Sequence, residues 1–450
     1  MCNLYKILVL MLVAARSLAL PAIDKNDRSD TWVRMIPDLD QVPQSCSMVL
    51  NEQDLPLICY GPGSAGSQGL YFAWFDGAEW NETLVEPLQY TSTTCHMLRA
   101  ENGAISVLYT GTMLNSVRFA RFDGTTWQTE EIWNGHPDSY DIALDSQGNP
   151  HVGFVRDDDN SLMYAVREGA GWTSESIGHC GTPPIAIAVD SQDRPHLIWS
   201  DSGNQTRHGW FESGVWHQES VGSGIYCYGM DMCADDSDVL HLALTGVTGS
   251  NILKYFFRQS SGWSSETVDT MKGGGCSIAA GQDGRVHIAY GETINSDLRY
   301  AVRSGGAWST QVVSWQGLNG FGISLELNSL GNPYMLNGRY NTDCELVWWG
   351  DQVGVLHDAF QPVPDAVGLF VEPNPVSNGM TVNVHTGRTG SYSLDLLDLA
   401  GRRVRTLFSG PIVSGETVLA PCLSGLSCGI YHLVLSGEGV LESARIAILP

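Results

Sequence analysis

A Trp-marked segment that returns every 44–47 residues is the feature that most constrains this chain. An apolar, aromatic strand leads into a polar Gly turn, then a Trp, then an alternating strand. The pattern occurs at residues 70–73 before Trp80, 117–120 before Trp127 and 162–165 before Trp172. It returns at 207–210 before Trp216, 253–256 before Trp263 and 298–301 before Trp308. Between these hairpins lies a second strand pair, clearest at 142–151 and 187–196, with weaker copies at 48–57, 97–106, 232–241, 278–287 and 325–334. Its Asp-Ser-Gln-Gly-Asn-Pro-type centre is a turn, because Gly and Asn accept positive φ and Pro fixes φ. Seven copies of about 45 residues and four strands match the blade of a β-propeller. The fold class expected is therefore all-β, a seven-bladed β-propeller followed by a small Ig-like β-sandwich.

The repeated Trp has a structural job in this reading. Wedged between neighbouring sheets, such a ring removes about 150–250 Å² from water, worth roughly 4–6 kcal/mol at about 25 cal/mol/Å². Trp80, Trp127, Trp172, Trp216, Trp263 and Trp308 are read so, and Trp32 with them. The seventh copy lacks its Trp, while residues 31–36 read as an outer strand with no blade before it. This strand is expected to join the sheet of residues 344–349 and close the ring, leaving no open edge.

These repeats resemble secreted bacterial propellers whose blades carry a DxxGxPHxxY turn and a Trp-started outer strand. The resemblance spans residues 32–360 and implies architecture, not activity. After residues 361–365 the repeat stops. Pro373-Asn374-Pro375, then Asp398 to Arg402 (D-x-x-G-R), then Leu426 to Tyr431 with a Gly-Ile-Tyr entry follow in order. That succession resembles the type A C-terminal sorting domain of type IX secretion systems. It implies delivery to the surface or surroundings of a Gram-negative bacterium, with the secretion machinery as partner. Period-2 alternation at 392–399 and 430–435 independently supports half-buried strands there. The domains expected are a signal peptide at 1–19, the propeller at 31–360, a linker at 361–368 and the sorting sandwich at 369–450.

The signal peptide is read from Lys6, an apolar run at 7–15 and Ser17-Leu18-Ala19; the run is too short to span a bilayer. No later segment could span one. The formal charge is −25, a field that disfavours nucleic acid and anionic membranes. Eleven cysteines show no paired CxxC zinc pattern. Cys422 with Cys428, and Cys180 with Cys227, are the disulfide candidates.

No nucleophile elbow, P-loop, His-Glu-x-x-His or dinucleotide fingerprint is present. His151, His196, His241 and His287 share one repeat position and are read as bonding their own turns. The loops at one end of the propeller offer His136, Asp138, His179, Tyr226 and Tyr228 between blades. Within blades they offer Arg156, Asp157, Asp159, Asp201, Glu292, Arg339 and Tyr340. No cofactor or metal is expected. Asp157-x-Asp159-x-Ser161 has a calcium-loop flavour but lacks the Gly and the distant Glu, so an acidic turn is the favoured reading. Two functions follow: a non-catalytic exported protein holding a glycan, peptide or protein on that loop end, or a polysaccharide lyase or glycoside hydrolase working at the channel mouth.

Overall fold

The computed structural model describes residues 32–349 and 368–448. Exceptions in the first span are 63–68, 89–92, 112–114, 170, 204, 224–226, 247–251, 261, 271–272, 293–295, 315–320 and 340–342; in the second they are 373–379, 387–389, 398–401, 413–414, 420, 422, 424–425 and 438–439. The expected signal peptide and most of the linker lie outside the described residues. The chain divides into two compact units, Met1–Val355 and Leu356–Pro450. Every described element is a strand, and no helix is long and apolar enough to cross a membrane.

The first unit contains seven four-stranded antiparallel sheets. Six are sequential blades, at residues 43–86, 93–134, 137–179, 182–223, 229–269 and 273–314, each ordered first to fourth strand. The seventh combines three strands at 321–349 with Trp32–Met35. That N-terminal strand pairs with Asp343–Trp349, Trp32 opposite Trp349 and Met35 opposite Leu346, closing the ring as the sequence predicts.

The blades are joined at three levels. At the rim, most repeat Trp rings meet a third-strand aromatic of the preceding blade edge-on. Trp127 lies 5.3 Å from Phe72, Trp172 5.3 Å from Phe119 and Trp216 5.0 Å from Tyr164; Trp308 lies 5.1 Å from Tyr255 and Trp32 5.1 Å from Tyr300. Such pairs add about 0.5–1.5 kcal/mol beyond burial. The indole Nε1 also donates across the junction: Trp172 to Glu130 (2.8 Å), Trp216 to Glu175 (2.9 Å), Trp263 to Glu219 (3.0 Å) and Trp308 to Glu266 (2.8 Å). Each of these Glu residues stands three places after its own blade's Trp. Where that place holds Met35, Thr83 or Gln311, the facing indoles of Trp80, Trp127 and Trp32 are buried with no hydrogen-bond partner among the described residues.

At the inner ring, a first-strand side chain accepts the backbone N–H of the next blade. Ser47 Oγ takes Met97 N (2.9 Å), Asp141 takes Ile187 N (2.9 Å) and Asp231 takes Ile278 N (2.8 Å). Ser277 takes Leu325 N (3.2 Å), and Ser324 takes Met48 N (3.2 Å) across the closing junction. The same place holds His96 in blade 2 and Ala186 in blade 4. There the following blades' Asp141 and Asp231 also accept their own chain's Ile142 and Met232 N–H, covering both donors.

At the third level are the repeat turns. Asp145, Asp190 and Asp235 each accept the N–H groups two and four residues on, as Asn51 and Asn328 do. Ser146 donates to Asp193, Ser191 to Asp238 and Ser329 to Asp54, each in the next blade. Those Asp residues tolerate φ values of 58°, 60° and 59°, strained for a non-Gly residue, because the strain is offset by two hydrogen bonds to the Ser. His196 and His241 bond their own turn's Asp190 (3.1 Å) and Asp235 (3.2 Å). His151, His241 and His287 pair with Tyr164, Tyr255 and Tyr300.

The second unit has a three-stranded and a four-stranded sheet. Val371, Val382 and Val384 from one pack with Leu394, Leu396, Leu433, Leu435 and Ile446 from the other in a single core. This is the small two-sheet arrangement expected of residues 369–450. Its Pro373-Asn374-Pro375 lies outside the described residues.

No disulfide is formed among the described residues. Cys428 is a free, exposed thiol, and Cys422 lies outside the described residues. Cys180 and Cys227 are buried thiols that enter different cores. Cys180 packs with Ile187 and Leu197, Cys227 with Ala188 and Ile198, on opposite faces of blade 4. Burial, with Cys180 nearby, pushes the Cys227 thiol up to about 12, so it behaves as a small hydrophobe.

Candidate functional site

Every blade begins with its innermost strand and is antiparallel throughout. The second-to-third loops and the blade-to-blade connections therefore emerge at one end, and the repeat turns at the other. The described ligand candidates singled out from the sequence stand at the loop end.

Four of them meet at blade 3. The Asp157 N–H donates to the His136 carbonyl (3.2 Å), and His136 Nδ1 lies 3.9 Å from Asp157 Oδ2. Arg156 Nε donates to Asp158 (2.9 Å) and lies 3.7 Å from Asp159. Its guanidinium sits 5.4 Å over the Trp133 ring, which stacks at 5.3 Å on Phe154. The Ser161 N–H donates to Asp159 (2.9 Å) and holds its carboxyl below the ordinary range, with Arg156 and then His179 adding to the effect. Asp159 is thus engaged by its own turn. Asp138, two residues after His136, and His179, the cross-strand partner of Ser161, are exposed. The described residues contain no group of three or more His, Cys, Asp or Glu able to hold a metal.

Tyr228, at the connection into blade 5, is different in kind. It is 60% exposed, yet the Cδ2 edge of its ring comes so close to Gly246 that a Cβ there would lie 2.1 Å from it. Gly246 also takes φ 75°. A glycine there both makes the bend and clears the space that holds the ring in place. Tyr226 and Tyr340 lie outside the described residues, as does the side chain of Arg339, whose backbone pairs with Asp343. Asp201 is engaged by the N–H groups of Gly203 and Gln205 and by Arg207.

Blade 6 contributes a pair of carboxylates. Glu292 and Asp297 are direct cross-strand partners, 0% and 8% exposed. Burial, and then Glu292, push the Asp297 carboxyl up to about 6.

Sequence reasoning missed the titratable lining of the central channel, a cavity of about 630 Å³ lined by first-strand residues of all seven blades. Its titratable groups include His96, Asp141, Asp231 and Glu326. His96 Nδ1 lies 3.2 Å from Asp141; its side chain is 49% exposed, but into the cavity. Burial pulls its imidazole down, and Asp141 outweighs this to leave it above its usual value. Burial and Asp141 push Asp231 up to about 7, and burial and Asp231 push Glu326 up to about 8. The available signal was a polar residue at one place in successive first strands: Ser47, His96, Asp141, Asp231, Ser277 and Ser324.

No protein-family model and no curated protein matches the chain. Among solved structures it is similar to an ulvan lyase of polysaccharide lyase family PL25 bound to -[GlcA(1-4)Rha3S]-. That match has a TM-score of 0.50 and 9% identity, over 73% of this chain and 100% of that one. A variant of the Aleuria aurantia lectin in complex with alpha-methyl-L-fucoside matches with a TM-score of 0.45 and 13% identity, over 62% and 97% of the two chains. PorZ, a surface component of the type IX secretion system of Porphyromonas gingivalis, matches with a TM-score of 0.33 and 14% identity, over 90% and 74%. At these identities the likeness is one of fold. Together with the sheet order it shows an all-β protein whose first unit is a seven-bladed propeller.

Proposed function

We propose that this is an exported binding protein that holds a glycan on the loop end of its propeller, delivered by its C-terminal sandwich acting as a type IX sorting domain. The observation that carries the reading is Tyr228. An aromatic ring left exposed but held against Gly246 suits the apolar face of a sugar ring, while groups such as His136 and Asp157 suit its hydroxyls. The frame explains why these residues stand apart: the repeat His, Asp and Glu side chains elsewhere are engaged in bonds within and between blades. The lyase and the lectin of similar fold were solved with carbohydrate bound, which fits this reading without arguing for it. A peptide or surface protein is the alternative ligand.

The buried Glu292–Asp297 pair supports a second reading, a lyase or hydrolase. Two neighbouring carboxylates, one of them (Asp297) with its proton affinity raised, suit acid–base work on a glycosidic bond. A glycan array followed by absorbance and reducing-end assays on the hits separates the two. Binding without product supports the binder. Turnover lost in Asp297→Asn supports the enzyme. The proposal fails if no glycan binds or if binding is untouched by Tyr228→Ala.

A further inference from the structure

A fourth set of bonds crosses some junctions near the loop end. Glu86, opposite Leu70 in blade 1, accepts Arg118 Nε (3.0 Å) and Nη2 (2.6 Å) and the Tyr109 hydroxyl of blade 2. Asp269, opposite Leu253 in blade 5, accepts the Tyr290 hydroxyl (2.5 Å) of blade 6 and lies 3.2 Å from its Arg299. In both cases the Tyr and the Arg are cross-strand partners. The unit is therefore an acid from one blade closed by a Tyr–Arg pair from the next.

The same register at the junction of blades 6 and 7 puts Ser314, opposite Leu298, in the place of the acid, and the cross-strand partners Asn337 and Glu345 in the places of the Tyr and the Arg. The acid has become a Ser and the Arg has become a Glu, so the charge pattern is inverted and the guanidinium is gone from its place. Ser314, Asn337 and Glu345 are 0%, 0% and 4% exposed. Ser314 Oγ and Glu345 Oε2 are both buried with no hydrogen-bond partner among the described residues. A buried carboxylate oxygen left without a partner is costly, and a cation is a partner that would satisfy it.

We propose that this junction binds a small, oxygen-preferring metal cation, sodium or calcium, where the other two junctions hold an arginine. Glu345 supplies the charged ligand and Ser314 a neutral oxygen, the donor type such cations take. The site is separate from the acidic turn at Asp157–Asp159 and does not depend on the glycan reading.

The test is thermal unfolding of the full chain, stripped with chelator, in choline chloride, sodium chloride or calcium chloride at constant ionic strength. Tm should rise saturably by about 2–4 °C with one of the metal ions over choline, and the effective salt identifies the ion. Glu345→Gln should abolish the response, and Ser314→Ala should raise the half-saturating ion concentration several-fold. Ser314→Asp combined with Glu345→Arg, which restores the pattern of the other junctions, should remove the ion dependence without lowering Tm. A Tm equal in all three salts overturns the proposal, as does a response that survives Glu345→Gln. If Glu345→Gln does not fold, an unaltered ion midpoint in Ser314→Ala does the same.

Discussion

The frame of the propeller and its loop end use the same kinds of residue in opposite ways. In the frame, Glu219 alone accepts Trp263 Nε1 (3.0 Å) and Arg258 (2.7 Å) and lies 2.9 Å from His208. His208, and then Arg258, lower its carboxyl to about 2 against the effect of burial. At the loop end, His136 and Asp157 are 3.9 Å apart and both substantially exposed, and Tyr228 faces outward. The difference teaches that repetition marks structure here. A side chain recurring at one place in successive blades is engaged by its neighbour, whereas the residues that can meet a ligand occur once.

The largest effect should come from breaking the frame. Glu219→Ala leaves Trp263, Arg258 and His208 without their shared acceptor and should cost about 2–4 kcal/mol in denaturant unfolding. Thr83→Ala, at the equivalent place facing an indole that has no such bond, should stay within about 0.5 kcal/mol. Equal costs would remove the distinction between the two kinds of junction.

Acid should come next. Burial holds His196 and His287 at about 4, below their ordinary 6.5. The unfolded chain then binds protons first, so stability is lost as pH falls from about 6.5 toward 4. Each histidine costs about 1.4 kcal/mol for every pH step of one within that window. Asp231 and Glu326, raised to about 7 and 8, act with the opposite sign: folding favours their protonated forms. Their contribution is complete below the ordinary carboxylate range and lost as pH rises toward those values. His196→Gln with His287→Gln should flatten the acid limb of a stability–pH curve, and Glu326→Gln the alkaline limb. An unchanged acid limb in the double variant would contradict this.

A gain of smaller size tests the same comparison in reverse. Thr83→Glu places the missing acceptor opposite Trp127, and should stabilise by about 0.5–1.5 kcal/mol. Destabilisation would mean that the junction of blades 1 and 2 cannot accept the geometry found at the others. Smallest is Ser191→Ala, which removes one exposed turn-end bond to Asp238 and should cost about 0.5 kcal/mol.

Much of the frame was legible in advance because it is written in the repeat. The Trp spacing set the blades, and Trp32, one repeat before Trp80, marked the closing strand. What was not legible depends on pairs of blades. Glu130 reads as a solvated strand residue until Trp172, 42 positions on, is seen to donate to it. Asp141 and Asp231 look like candidate acids, but they serve backbone donors that His96 and Ala186 leave uncovered. Cys180 and Cys227 stand 47 residues apart in matching loops and suggested a bridge, although the sheet of blade 4 separates their cores. At the loop end, Tyr228 could be named from the sequence, but its support on Gly246 could not, since no local pattern joins those two positions.

The central claim is that binding resides at the loop end and stability in the frame, and one paired measurement on the full chain tests it. Titrations with a glycan found on the array, alongside denaturant unfolding, would be run on the wild type, Tyr228→Ala and Glu219→Ala. The account predicts that Tyr228→Ala weakens binding at least about tenfold, or about 1.4 kcal/mol, while unfolding moves by less than about 0.5 kcal/mol. Glu219→Ala should do the reverse. Full glycan affinity retained in Tyr228→Ala, or lost equally in the two variants, would contradict it.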